Sequence, residues 1–206
     1  LATGGGNISI TGTTTSGSAG VFFQNQDVLA MGGTITVDGT KGIVTRPQGV
    51  RFGAKAGSEI TSSASDVVLI GDVLTFNTPA TGFESAITTT GAVTIKSSGD
   101  SFASALTYPV TNLTLGATVG GLTIGKSSNT ADVTIGSAVS IAGPITVYGG
   151  DINVDANLTS AATSGVGITL TGQRIIQDDG IDATTSGADI TYTASGYVTT
   201  GNGESA

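Results

Sequence analysis

Between Ala131 and Ser160 the chain reads ADVTIGSAVSIAGPITVYGGDINVDANLTS, a run of apolar–polar–apolar phrases cut apart by Gly, Ala, Asn and Asp. The phrases are Val133-Thr134-Ile135, Val139-Ser140-Ile141, Ile145-Thr146-Val147, Ile152-Asn153-Val154 and Leu158-Thr159. Alternation with period two and β-branched residues is the signature of a strand with one buried face. Each phrase is too short to bury that face alone, and almost nothing but turn separates the copies. That combination points to stacking: many short strands laid over their equivalents in a solenoid.

The same phrase runs through the whole chain, as Ile8-Ser9-Ile10, Ile35-Thr36-Val37, Val67-Val68-Leu69, Val93-Thr94-Ile95, Leu113-Thr114-Leu115, Leu122-Thr123-Ile124, Ile168-Thr169-Leu170 and Ile190-Thr191-Tyr192. No window carries the i, i+3, i+4, i+7 stripe of a helix, and Gly recurs too often to let one persist. In the first half GGNISITG…GVFFQ resembles GGTITVDG…GVRFG, which pairs Val21-Phe22-Phe23 with Val50-Arg51-Phe52. Third patches follow at Val28-Leu29-Ala30 and Glu59-Ile60. Three strands per repeat outline one rung of a parallel β-helix. In the second half Leu113, Val133, Ile152, Ile168 and Ile190 make one candidate column, and Leu122, Ile141, Leu158 and Ile175 a second.

The expected architecture is therefore all-β, a parallel β-helix with about three short strands per rung and one segment over 1–206. Rungs are longer over about 1–110 and shorter over about 111–206. The stretch Gly91–Val110, with Phe102, Tyr108 and Pro109, breaks the rhythm and marks a change of rung geometry. At roughly 22 residues per rung the chain makes about nine rungs, a rod of about 45 Å. A β-sandwich is the rival, but its two-residue hairpin signals occur only at Asp38-Gly39 and Asp179-Gly180. Corners are assigned to Gly for positive φ and to Asn7, Asp38, Asp151, Asp155 and Asn157.

Composition narrows function by exclusion. The chain has no Cys and no His, so disulfides, thiol catalysis and a Ser-His-Asp triad are not expected. Its net charge is −8 with seven Lys and Arg, which leaves no basic footprint for nucleic acid or for an anionic membrane surface. No apolar run approaches the roughly 20 residues that cross a bilayer, so membrane insertion is not expected. The chain opens LATGGG without an initiator Met or a basic leader, and is read as a piece of a longer repetitive polypeptide.

Chemistry-bearing residues are sparse. Asp178, Asp179 and Asp182, in QDDGID, are weak candidates for incidental calcium, and otherwise solvated turn aspartates. They and the pair Asp151 and Asp155 are the only candidates for the paired carboxylates of a polysaccharide-cleaving site, with Arg174 the one cation nearby in sequence. GATVGG and GGG lack the Gly-Lys-Ser of a phosphate loop and read as turn glycines. Thr36, Thr94, Thr114, Thr123, Thr134, Thr146, Thr169 and Thr191 form candidate outward ladders of the kind an ice-binding face uses, though each phrase offers one Thr where such faces use two. Phe22, Phe23 and Phe52 read as core or rung stacks. Tyr108, Tyr148, Tyr192 and Tyr197 make a sugar-stacking surface only if they share a face. Asn7, Asn112 and Asn157 head Asn-x-Ser/Thr acceptors. No catalytic, cofactor-binding or firm metal residue is assigned, and no cofactor is expected.

The stretches Asn112–Ser160 and GVRFGAKAGSEITSSASDVVLIGD (Gly49–Asp72) resemble the repeats of filamentous-haemagglutinin-like bacterial surface proteins, the giant β-strand-repeat adhesins and two-partner-secreted exoproteins. The resemblance is one of repeat style over most of the chain. It implies a right-handed β-helix on the cell surface or outside the cell. The implied role is a shaft or filament for adhesion, biofilm or cell–cell contact, without catalytic residues. Implied partners are flanking repeats or identical subunits end to end, and host or cell-surface glycans or proteins. A polysaccharide-degrading β-helix and a passive glycan-binding module are the alternatives.

Overall fold

The computed structural model describes residues 2–3, 5–14, 20–23, 26–40, 42–45, 50–53, 64–76, 85–201 and 204–205. The chain is an all-β solenoid of about seven turns. Each turn visits three walls in order. The first wall holds Ile8–Thr11, Ile35–Asp38, Val67–Ile70, Ala92–Lys96, Gly121–Ile124, Ile145–Tyr148 and the leading halves of Val166–Gln177 and Asp189–Thr200. The second holds Val21–Phe23, Gly42–Thr45, Val73–Phe76, Leu106–Tyr108, Val133–Ile135, Asp151–Val154 and the trailing halves of the same two long strands. The third holds Ala2–Thr3, Gln26–Ala30, Val50–Gly53, Ser85–Thr88, Leu113–Leu115, Val139–Ile141, Leu158–Ser160 and Ala183–Thr185. Every pairing between walls' neighbours is parallel; the sole antiparallel pair among the described residues joins Thr199 and Thr200 to Glu204 and Ser205.

Register in the first wall runs Ile8, Ile35, Val67, Val93, Leu122, Ile145, Ile168, Ile190. Seven steps replace the nine rungs expected, because the corners hold more residues than a 22-residue rung allows. At about 4.8 Å per step the stack is about 34 Å long. Inward positions are sealed: Ile35, Val67, Val93, Ile145, Ile168, Ile135 and Ile152 are each 0% exposed. A fully buried Ile contributes about 2 kcal/mol, and here its neighbours are the equivalents one rung above and below.

Two expected alignments are wrong. Val21-Phe22-Phe23 does not match Val50-Arg51-Phe52: the first pairs with Ile43-Val44-Thr45 in the second wall, the other with Gln26-Asp27-Val28 in the third. Phe22 is exposed, whereas Phe23 is core. The two candidate columns are also mixed. Leu122, Ile168 and Ile190 lie in the first wall, Val133, Ile152 and Ile175 in the second, and Leu113, Ile141 and Leu158 in the third. Identical phrases sit on all three walls, so spacing alone does not sort them. Glu59-Ile60 lies outside the described residues.

Corners explain the polar residues between phrases. Asn and Asp pin one rung to the next by accepting a backbone N–H: Asn7 Oδ1 from Thr34 (2.9 Å), Asp66 Oδ1 from Ala92 (2.8 Å), Asp132 Oδ1 from Asp151 (2.9 Å) and Asn157 Oδ1 from Asp182 (2.9 Å). Each satisfies an N–H at a strand entry that the ladder does not reach. Gly120 and Gly143 are needed for a different reason from positive φ. A Cβ on Gly143 would lie 1.8 Å from the Gly120 carbonyl oxygen, and one on Gly120 would lie 2.2 Å from that of Thr90. Rungs approach backbone to backbone there, and no side chain fits.

The first wall is continuous, but the other two are each broken once. Leu106–Tyr108 pairs with Val133–Ile135 but not with Val73–Phe76, and Leu113–Leu115 pairs with Ser85–Thr88 but not with Val139–Ile141. The chain thus leans toward the following rung in the second wall and toward the preceding rung in the third. The crossing, 109–112, follows a cis Tyr108–Pro109 bond and includes Asn112 at φ 62°.

Candidate functional site

The acidic turn follows the second-wall half of Val166–Gln177. Asp178, Asp179 and Asp182 are exposed, and Gly180 takes φ 73°. The turn is closed by Ile181 N–H on the Asp178 carbonyl (3.3 Å) and by Gln177 Nε2 on the Ile181 carbonyl (2.6 Å). Asp182 ends the corner at the entry to Ala183–Thr185, its N–H held by Asn157 Oδ1. Among the described residues no three His, Cys, Asp or Glu side chains form a group suited to a cation. The electrostatic neighbour of Asp178 is Asp155, one rung back. Asp155's carboxyl is raised above the usual carboxylate value by partial desolvation, and secondarily by the charge of Asp178.

Arg174 does not serve that turn. It stands in register between Asp151 and Tyr197 on the outside of the second wall. Its Nε donates to Asp151 Oδ1 (2.7 Å) and its Nη2 to Asp151 Oδ2, a bidentate pair. The guanidinium lies 5.8 Å from the Tyr197 ring centre, within cation–π range. Asp151 in turn donates its backbone N–H to Asp132 Oδ1, so Asp132, Asp151, Arg174 and Tyr197 form one four-rung ladder. The sole cation near the acidic turn in sequence is committed to this ladder.

The tyrosines do not share a face. Tyr108 is buried and Tyr197 is exposed on the second wall. Tyr148 lies half-buried on the outside of the first wall. Tyr192 points inward and donates to Gln177 Oε1 (2.6 Å), and burial pushes its phenol up to about 12. The threonines divide as well. Thr36, Thr94, Thr123, Thr146, Thr169 and Thr191 form one outward file on the first wall with Ser9 and Val68, but Thr134 lies on the second wall and Thr114 on the third. The next outward file on the first wall is mixed: Thr11, Asp38, Ile70 and Lys96, then Tyr148, Thr171 and Thr193. Only the last two rungs present two threonines per strand.

Two concave features coincide with the two wall breaks. The second-wall break is a cavity of about 410 Å³ lined by Leu74, Thr75, Phe76, Leu106, Thr107, Val110, Thr111 and Asn112. Asn112 Nδ2 reaches across it to the Phe76 carbonyl (2.7 Å), so this acceptor-sequon Asn is spent on the fold. The third-wall break is a cavity of about 330 Å³ lined by Tyr108, Pro109, Leu113, Thr114, Leu115, Ala138, Val139, Ser140 and Ile141. Tyr108 is 3% exposed, and no hydrogen bond to its hydroxyl occurs among the described residues. Burial raises its phenol above the ordinary value. Sequence reasoning missed this groove. Its only trace was the loss of triplet rhythm around Tyr108-Pro109.

No protein-family model, curated protein or solved structure matches the chain.

Proposed function

We propose that the chain is a structural shaft segment of a large secreted or cell-surface bacterial adhesin, serving adhesion, biofilm or cell–cell contact. The observation that supports this reading is the first wall: eight strands in unbroken parallel register, lined inside by Ile, Val and Leu with Tyr192 in the last, and with a polar side chain outward on all but one rung. Such a stack converts sequence into length and stiffness, because each rung needs only its neighbours. The bland outer surface suits a spacer, and the ion pair of Arg174 with Asp151 reads as a surface staple rather than chemistry. Among the described residues the outer edge of Asp189–Thr200 is paired only at Thr199 and Thr200, and Ile190 is 44% exposed beside it. Further rungs, or the first rung of an identical subunit end to end, would continue that ladder.

Immunogold labelling of intact producing cells with antibody against the chain tests the reading. Labelling outside the cell, at a distance that shortens when rungs are deleted from the parent gene, is the expected result. Labelling only after lysis removes it. Turnover of any acidic or neutral glycan by the purified chain would instead favour the β-helical polysaccharide-degrading enzyme, and binding without turnover the passive glycan-binding module.

A further inference from the structure

We infer that the break in the third wall is a docking slot for an extended, uncharged apolar–polar–apolar segment of another polypeptide, taken up as an added parallel strand. The ladder itself is the first argument. Above the break Leu113–Leu115 is paired to Ser85–Thr88, and below it Val139–Ile141 is paired to Leu158–Ser160. The Val139 N–H goes to the Asn157 carbonyl (2.9 Å), and the Ile141 carbonyl accepts from Ala161 (3.0 Å). In a parallel ladder alternate residues bond to opposite sides, so the N–H and C=O of Ser140 face the break. By the same alternation Gly116, whose N–H bonds Ile87 (2.9 Å), faces away, and the Leu115 N–H faces the break. These are the groups that strand addition engages.

The second argument is Tyr108. Tyr108 is 3% exposed and lines the same cavity, and its hydroxyl, with no partner among the described residues, is a buried polar group awaiting one. At the second-wall break, by contrast, Asn112 Nδ2 already takes the Phe76 carbonyl. Size and charge narrow the occupant. A cavity of about 330 Å³ lined without any charged side chain, in a chain of net charge −8, suits two or three uncharged residues. Flanking apolar side chains would point inward toward Tyr108, with the central polar one outward between Thr114 and Ser140. Every described strand of this chain is already paired within its own sheet, and the segment is assigned to a different polypeptide.

The test uses the intact chain and a fluorescent acetyl-Gly-Leu-Thr-Ile-Gly-amide peptide, the uncharged sequence of 121–125, read by anisotropy. Saturable binding is expected. N-methylation of the peptide at Thr removes one backbone donor and should weaken binding about tenfold, the worth of one well-made hydrogen bond. Ser140→Pro, which deletes an N–H the fold does not use, should weaken it similarly. No saturable binding, or equal binding of the N-methylated peptide, overturns the proposal without any change to the protein. A Thr114→Cys/Ser140→Cys double variant gives an independent reading in a chain with no native Cys. Peptide that slows disulfide formation supports the slot, whereas immediate quantitative crosslinking with or without peptide means that the break closes on itself. Concentration-dependent self-association abolished by Ser140→Pro would make a second copy the occupant and overturn the assignment to another polypeptide.

Discussion

Asn129 carries the corner where the solenoid changes rung length, and its removal should be costly for a reason that can be counted. The side chain is 5% exposed and ties together three rungs. Its Oδ1 accepts from Ser101 Oγ (2.9 Å) and from the Phe102 N–H (3.1 Å). Its Nδ2 donates to the Tyr148 carbonyl (2.8 Å) and to the Ala131 carbonyl (3.2 Å). In Asn129→Ala the Ser101 hydroxyl can turn, and it still accepts from the Thr130 and Ala131 amides (3.1 and 3.0 Å). The Phe102 N–H and the Tyr148 carbonyl have no such alternative. Phe102 is itself 5% exposed. Two stranded backbone groups at about 1–2 kcal/mol each give an expected loss of about 2–4 kcal/mol. Asn129→Asp keeps the acceptor and loses both donors, so it should be nearly as damaging at neutral pH and recover partly in acid, where a protonated carboxyl donates again. Urea unfolding measures the total, and amide exchange at Phe102 isolates the corner from the rest of the stack. A loss below about 0.5 kcal/mol with unchanged Phe102 protection would refute the reasoning.

Gly143→Ala should destabilise by about 3 kcal/mol or prevent folding, since the added carbon meets the Gly120 carbonyl with no flexible atom to give way; yield and melting temperature report it. Tyr108→Phe should instead stabilise by about 1 kcal/mol in urea unfolding, because it removes a buried hydroxyl that has no partner. The advantage should widen above about pH 10, where the unfolded chain releases a phenol proton that the folded wild type retains, so wild-type stability falls as pH rises. Asp155 binds its proton more tightly when folded, so its contribution is present in acid and lost as pH rises through its raised value. Asp155→Asn is therefore expected to exceed wild type in stability at neutral pH, with the difference closing on acidification; an unchanged pH profile would refute it.

Alternation told which side chains turn inward, because a strand has only two faces and water decides between them. Ile135, Ile141 and Ile152 were legible as core from their triplets alone, as was the stacking of a phrase too short to stand by itself. The match of Ile8 to Ile35 was legible too, since both carry the same Gly-Gly lead. What local pattern could not decide is which wall a phrase joins. Val21 and Val50 follow similar leads yet lie on different walls, because corner length and backbone approach between rungs set the path, and these depend on residues about 20 to 35 positions apart. Arg174 illustrates the same limit: sequence proximity offered it to Asp178, and register gave it to Asp151. The slot beside Tyr108 is a mismatch between rungs that lean opposite ways in two walls. No single rung encodes it, so only the assembled stack reveals it.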